Sequence, residues 1–298
     1  MFDITPMLDC GGRVLALDRA RIVGIVNVTP DSFSGDGLSA SSDAAVALGM
    51  RMVEEGADAL DVGGESTRPG AEEVTVDEEL RRVIPVIERL ARECAVPIWI
   101  DTSKPEVMRA AVGAGAGLIN DVHALRRDGA MDAAASLKVP VVLMHMQGDP
   151  RTMQDAPYYD DVVSEVHRFL AERIFACEMS GIAKKKIVVD PGFGFGKALD
   201  HNLALLRQLA RFTDLGVPVL AGLSRKGMIG TLTDRAQGER VHGSVAAAMI
   251  AARYGAKLLR VHDVSATVDA LKVWNAVAAQ TVPKGKSASA MPKWGDED

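Results

Sequence analysis

A chain of 298 residues, nearly half of them hydrophobic, can bury one large core or two small ones, and a net charge of −6 argues against a nucleic-acid surface. No apolar run reaches the ~20 residues that a bilayer span needs, and the N-terminus lacks the basic and apolar regions of a signal peptide. Cys10, Cys94 and Cys177 are far apart, odd in number and without metal-type spacing, which points to reduced thiols in a cytoplasmic protein.

Residues 7–20 read as a short hairpin, with Cys10-Gly11-Gly12 turning between Met7-Leu8 and Val14-Leu15, placed to plug the bottom of the fold. Arg21–Val28 is the first apolar strand and runs into a long polar loop, Thr29 to Gly37. A helix is expected from Ser42 to Gly56, capped by Ser41 or Ser42. Ala59–Val62 is the second strand. It leads into Gly63-Gly64-Glu65-Ser66-Thr67-Arg68-Pro69-Gly70, whose glycines, hydroxyls and arginine suit an anion. A helix follows over Asp77–Cys94. Its Asp77-Glu78-Glu79 suit the positive end of the dipole, and Pro85 predicts a kink or a break.

Pro97–Ile100 is the third strand, ending at Asp101-Thr102-Ser103-Lys104-Pro105; Ser103 is placed to cap the next helix, with Pro105 in its first turn. Gly117–Ile119 is the fourth strand, ending at Asn120-Asp121, and Val139–Met144 is the fifth, ending at His145. A long helix runs from Tyr159 to about Ser180. Ile187–Val189 is the sixth strand, stopped by Asp190-Pro191 and followed by the glycine–phenylalanine loop that ends at Lys197. Val217–Ala221 is the seventh strand, ending at Gly222-Leu223-Ser224-Arg225-Lys226. The alanine-rich segment Val241–Tyr254 is helical, and Ala256–Val261 is the eighth strand, ending at Arg260-Val261-His262-Asp263. A last helix starts at Val264. From Thr281 to Asp298 the chain is rich in Lys, Ser, Pro and Gly, and a disordered tail is expected there.

Eight apolar strands alternating with helical segments predict an α/β fold, a (β/α)8 TIM barrel spanning residues 1–280 as one domain. No G-x-G-x-x-G follows the first strand, which removes the usual reason to choose an open doubly wound sheet. A barrel gathers the C-terminal ends of its strands into one mouth, and the residues at those ends divide by chemistry. Asp101, Asn120 and Asp190 can pair with a flat heterocycle such as a 2-amino-4-oxo ring, and Lys226 can donate to a carbonyl or ring nitrogen. Phe195 and Met144 can cover the faces of that ring. Asn27, Thr67, Arg68, Arg260 and His262 are an oxygen- and anion-seeking set, suited to phosphate with a divalent cation. No cysteine stands at a strand end and no Ser-His-Asp arrangement is visible, which argues against covalent catalysis.

These stretches resemble the dihydropteroate synthase family, in order, over about residues 20–280. The likeness is carried by Asn27-Val28-Thr29-Pro30-Asp31-Ser32-Phe33-Ser34, Asp61 through Gly70, Asp101-Thr102-Ser103, Ile119-Asn120-Asp121-Val122, Met144 through Gly148, Asp190 through Lys197, Ser224-Arg225-Lys226 and Arg260 through Val264. One departure is visible: Gly35-Asp36 stands where the family commonly has the two exchanged. The resemblance implies condensation of 6-hydroxymethyl-7,8-dihydropterin diphosphate with p-aminobenzoate, giving 7,8-dihydropteroate and pyrophosphate. It implies a dissociative displacement assisted by Mg2+, a sulfonamide target and a homodimer. It assigns the pterin to Asp101, Asn120, Met144, Asp190, Phe195 and Lys226, and the diphosphate to Asn27, Thr67, Arg68, Arg260 and His262, with Asn27 as metal ligand. It assigns p-aminobenzoate to Phe33, Thr67, Pro69, Ser224 and Lys226, and the chemistry to Asp101, Asp190 and Lys226. Two readings stand beside it: a pterin-binding methyltransferase barrel, which would not need the Ser66-to-Pro69 loop or the anion set, and a non-catalytic pterin-binding relative, which would not need Lys226.

Overall fold

A computed structural model describes residues 6–29, 38–67, 70, 71, 73–148, 153 and 156–278. Phe33, Arg68, Pro69, the Gly35-Asp36 exchange and the tail from 281 to 298 lie outside the described residues.

The chain opens with a hairpin, β1 (Met7–Cys10) against β2 (Arg13–Ala16), turned by Gly11-Gly12. The barrel strands are β3 (Arg21–Asn27), β4 (Ala59–Gly63), β5 (Ile98–Asp101), β6 (Leu118–Asp121), β7 (Val141–Met144), β8 (Ile187–Asp190), β9 (Leu220–Ala221) and β10 (Leu258–Val261). All neighbours pair in parallel, in the order β8-β7-β6-β5-β4-β3-β10-β9. A parallel bridge between Val189 and Val219, with Val189 N–H donating to the Pro218 carbonyl at 3.0 Å, joins β8 to β9 and closes the ring. β9 is shorter than the apolar run that encodes it because Pro218 has no N–H for the ladder.

The helices are α1 (Leu38–Glu54), α2 (Val76–Glu93), α3 (Pro105–Gly113), α4 (Ala130–Leu137), α5 (Val162–Met179), α6 (Leu199–Arg207), α7 (Gly227–Thr233), α8 (Val241–Arg253) and α9 (Val264–Ala278). Three local expectations are corrected. α1 begins at Leu38, so Ser41 and Ser42 lie inside it rather than capping it. α2 continues through Pro85, so the break does not occur; Pro85 sits on the exposed face, where the carbonyl that loses its helical donor can be met by water, while Val83, Val86, Ile87 and Leu90 bury the opposite face. Lys104, not Ser103, occupies the cap position of α3, and Ser103 Oγ instead donates to the Asp121 carboxylate.

The strands look uniformly apolar because their two faces enter two cores. Val23, Ala59, Trp99, Leu118, Val142, Val188, Leu220 and Leu258, one from each strand, point inward and meet Leu8, Cys10, Leu15 and Leu17 of the hairpin segment. Their neighbours, among them Ile22, Leu60, Ile98, Ile100, Val189 and Leu259, point outward against the helices. The hairpin therefore fills the bottom of the barrel, as its apolar alternation predicts.

Candidate active site

The opposite end of the barrel is polar and largely buried. Arg260, from β10, reaches across it. Its Nε donates to Asp61 Oδ2 at 2.5 Å, and its second terminal nitrogen donates to Asp101 Oδ2 at 2.7 Å. Asn120 Nδ2 donates to the same Asp61 oxygen at 2.9 Å. β4, β5, β6 and β10 are thus tied together at their ends by one charged network. Asn27 joins its edge: the position a Cβ on Gly63 would take lies 3.8 Å from both Asn27 Oδ1 and Asp101 Oδ2. The same construction at Gly222 lies 3.8 Å from Asp190 Oδ2 and from Lys226 Nζ, and 4.0 Å from Arg260 Cβ, so the second half of the set faces the first.

Burial dominates the titration here. It pushes the Asp101 carboxyl up to about 7, against the pull of Arg260 and with Asp61 adding to the rise. It raises the Asp190 carboxyl as well, opposed by Lys226. It lowers the Lys226 ammonium to about 8, opposed by Asp190. The two carboxyls and the amine all change charge more readily near neutrality than they would in water.

The loop after β8 forms the floor. Gly192, at φ +71°, lies so close to His145 that a Cβ would sit 1.8 Å from the His145 carbonyl oxygen, so no side chain fits. Its N–H donates to Asp190 Oδ1 at 2.7 Å, which fixes that carboxylate. Lys226 Nζ donates to the Phe193 carbonyl and lies 4.5 Å from the centre of the Phe195 ring. Phe195 packs against an apolar wall of Val122, Met144, Met146 and Met153. The floor thus brings the Phe195 ring and the Lys226 amine beside the Asp190 carboxylate.

At the rim, Ser224 Oγ accepts from the His262 N–H at 3.2 Å and lies 3.0 Å from its Nδ1. Thr67 is half-buried in the segment after β4. His145, although at a strand end, is engaged by Lys197 and by aromatic neighbours. Its Nδ1 lies 2.9 Å from Lys197 Nζ, its ring packs edge-on against Phe169 at 4.9 Å, and burial holds it neutral. Lys197 also donates to the Phe195 carbonyl at 2.9 Å and is buried, so it ties the floor loop to β7. Sequence reasoning left both Lys197 and Asn202 without a role. Asn202 Oδ1 accepts from Gly194 N–H at 2.7 Å, and its Nδ2 donates to Ala198 at 2.7 Å. A polar residue on the buried side of α6 was the one available signal.

This chain is a member of the pterin-binding enzymes: a model of that family, described as pterin binding enzyme, matches residues 23–262, and so spans the strands whose ends carry Asp101, Asn120, Asp190 and Arg260. Dihydropteroate synthase of Escherichia coli strain K12 is 54% identical over 262 residues, covering 88% of this chain and 93% of that one. A solved dihydropteroate synthase of Xanthomonas albilineans with 4-aminobenzoic acid is 65% identical, covers 94% of this chain and 100% of its own, and superposes with a TM-score of 0.88. A Yersinia pestis dihydropteroate synthase solved with a sulfonamide drug is 48% identical over 92% of this chain and 99% of its own, with a TM-score of 0.88. The chain belongs to the dihydropteroate synthase family, alkyl-transferring enzymes of the pterin-binding class.

Proposed function

We propose that the chain condenses 6-hydroxymethyl-7,8-dihydropterin diphosphate with p-aminobenzoate and releases pyrophosphate. The observation that carries this reading is the facing of Asp101, Asn120 and Asp190 with Lys226 and Arg260 around one slot. Asp101, Asn120 and Asp190 pair with the N–H groups and acceptors of the pterin edge, Lys226 donates to it, and Met144 and Phe195 cover its faces. Asn27, Thr67, Arg68, Arg260 and His262 take the diphosphate, and Phe33, Thr67, Pro69, Ser224 and Lys226 take the aryl amine. Arg260 is already paired with two carboxylates, so diphosphate binding has to share or loosen those bonds.

The aryl amine is a weak nucleophile, so departure of pyrophosphate leads. Ionised Asp101 and Asp190 stabilise the positive charge left on the pterin methylene, and neither has to move a proton. Among the described residues no group of three or more His, Cys, Asp or Glu side chains could hold a metal ion alone. The Asn27 amide oxygen beside the Asp101 carboxylate suits Mg2+ shared with the substrate, since that ion is held by few protein oxygens and by phosphates. Mg2+ bound at Asn27 would offset charge on the diphosphate.

A homodimer is supported by Ile250, Val273 and Val277, exposed apolar residues on α8 and α9, which pack side by side. A stable monomer in sedimentation at micromolar concentration would contradict it. A cytoplasmic location is supported by three buried free thiols, and no helix among the described residues is long and apolar enough to cross a membrane. The relatives from Escherichia coli, Xanthomonas albilineans and Yersinia pestis are dihydropteroate synthases, which favours the synthase over the methyltransferase reading. The deciding experiment is pyrophosphate release from the dihydropterin diphosphate, with and without p-aminobenzoate and Mg2+. Release that requires both is expected. Pterin binding without release would leave a non-catalytic relative.

A further inference from the structure

Lys104 follows Asp101 by three positions and precedes Pro105. Such a lysine ordinarily extends into water. Here it turns inward and is 6% exposed. Its Nζ donates to Glu79 Oε2 at 2.7 Å and to Glu65 Oε2 at 2.9 Å. Glu79, on α2, is fully buried, and Glu65 lies in the segment after β4. The other Glu65 oxygen, Oε1, accepts from the Val74 N–H at 2.8 Å. One carboxylate therefore binds both the entry and the exit of the segment between β4 and α2. The entry is fixed a second way. A Cβ on Gly64 would meet Val83 Cγ1 at 2.7 Å, and Arg82 donates to the Gly64 carbonyl at 2.9 Å. Burial raises the Glu79 carboxyl, opposed by Lys104.

A buried cluster of two carboxylates and one ammonium is a poor way to gain stability, because apolar side chains of equal volume do as well. Its use is geometric. The chain path from Asp101 to Lys104 is short, with the Lys104 N–H also donating to Thr102 Oγ1 at 3.2 Å. Thr67 lies two residues beyond Glu65. The cluster thus joins the strand end that carries Asp101 to the segment that carries Thr67. Lys104 also lines an open depression with Val74, Pro105 and Arg127, a lining that includes none of Asp101, Asn120, Asp190 and Lys226.

We propose that Lys104, Glu65 and Glu79 form a positioning clamp that holds the Thr67 segment in register with the pterin edge, and so sets the affinity for the aryl amine. The proposal rests on the assignment of Thr67 to the p-aminobenzoate site made above. The test is steady-state kinetics of wild type, Glu65→Gln, Glu65→Ala and Lys104→Arg, with calorimetric binding of the dihydropterin diphosphate and amide hydrogen exchange at Val74. In Glu65→Ala the KM for p-aminobenzoate should rise about tenfold or more, with pterin affinity within about twofold of wild type and faster exchange at Val74. Glu65→Gln keeps an oxygen for Val74 and should fall between the two. Lys104→Arg, which can still meet both carboxylates, should keep most of the wild-type affinity. A lower unfolding temperature with an unchanged KM for p-aminobenzoate would reduce the cluster to a structural strut and overturn the proposal. Equal losses for both substrates would overturn it as well. A wild-type enzyme that releases no pyrophosphate would remove the assignment beneath it, an outcome distinct from active variants with an unchanged KM.

Discussion

The two ends of the barrel are made by the same strands and differ in almost everything else. At the bottom, eight inward residues from Val23 to Leu258 meet the hairpin in an apolar core. At the mouth, strand residues a few positions further on carry Asp61, Asp101, Asn120, Asp190 and Arg260, mostly buried and sharing hydrogen bonds. Apolar burial at one end supplies stability that the other end draws on. The mouth keeps carboxyls whose ionisation burial opposes, and one carboxylate oxygen, Asp61 Oδ1, has no hydrogen-bond partner. A site that must hold charge in a dry slot cannot also be its own best-packed region.

If this division is real, substitutions at the two ends should separate activity from stability. The largest effect belongs to Lys226→Ala at the mouth. It should lower kcat/KM by roughly 10²–10³-fold, the cost of one positioned donor, measured as pyrophosphate release. Its unfolding temperature should move by less than about 4 °C, the shift expected for ~1 kcal/mol in a chain of this size. Leu118→Ala at the bottom should do the reverse. Leu118 is fully buried, so the variant should lose about 2–5 kcal/mol in denaturant unfolding while turnover per folded molecule stays within about twofold. A large activity loss there would mean that the two ends are mechanically one.

The pH profile sharpens the comparison within the mouth. With the Asp101 carboxyl at about 7 and the Lys226 ammonium at about 8, kcat/KM should peak in the narrow interval between those values. It should fall about tenfold per unit on either side. The linkage has a definite sign. Unfolded Asp101 ionises near its ordinary 3.8 but the folded group only near 7, so its contribution makes the protein less stable as pH rises through that window. Unfolding of Asp101→Asn should lack that decline, and a variant that kept it would assign the titration elsewhere. The smallest effect is at the hairpin tip. Gly12, at φ +89° with open space around it, should cost about 1–2 kcal/mol as Gly12→Ala and leave catalysis untouched.

What could be read from the residues follows the same geometry. Strand-end positions were legible because a parallel barrel sends every strand end to one place, so Asp101, Asn120, Asp190 and Arg260 needed only the strand pattern. Lys226 was legible as part of the polar run Ser224-Arg225-Lys226 beyond β9. Partners separated by helices were not legible. Glu79 reads as a helix-dipole carboxylate, Lys104 as a solvated lysine before proline, and Lys197 as the end of a glycine loop, yet all three are buried. Local sequence rewards the exposed reading of each, and only the tertiary fold supplies the opposite charge or the carbonyl that makes burial tolerable. Pro85 makes no break and Ser103 no cap for a related reason: a proline on the solvent face can be hydrated, and a serine beside a buried carboxylate has a better partner than a helix end.

The hairpin has a further consequence for how the molecule comes into being. It is the first element of the described chain, and its inner face shares one apolar cluster with residues from all eight strands, including Leu258 of the last. Its hydrophobic side chains must wait until nearly the whole barrel has been synthesised. Contacts of such long sequence separation fold slowly and leave a partly made chain with an unburied apolar strand pair. Assembly of the catalytic end therefore precedes or accompanies the last act of closure, and a nascent chain stalled before β10 should be a chaperone client rather than a smaller enzyme.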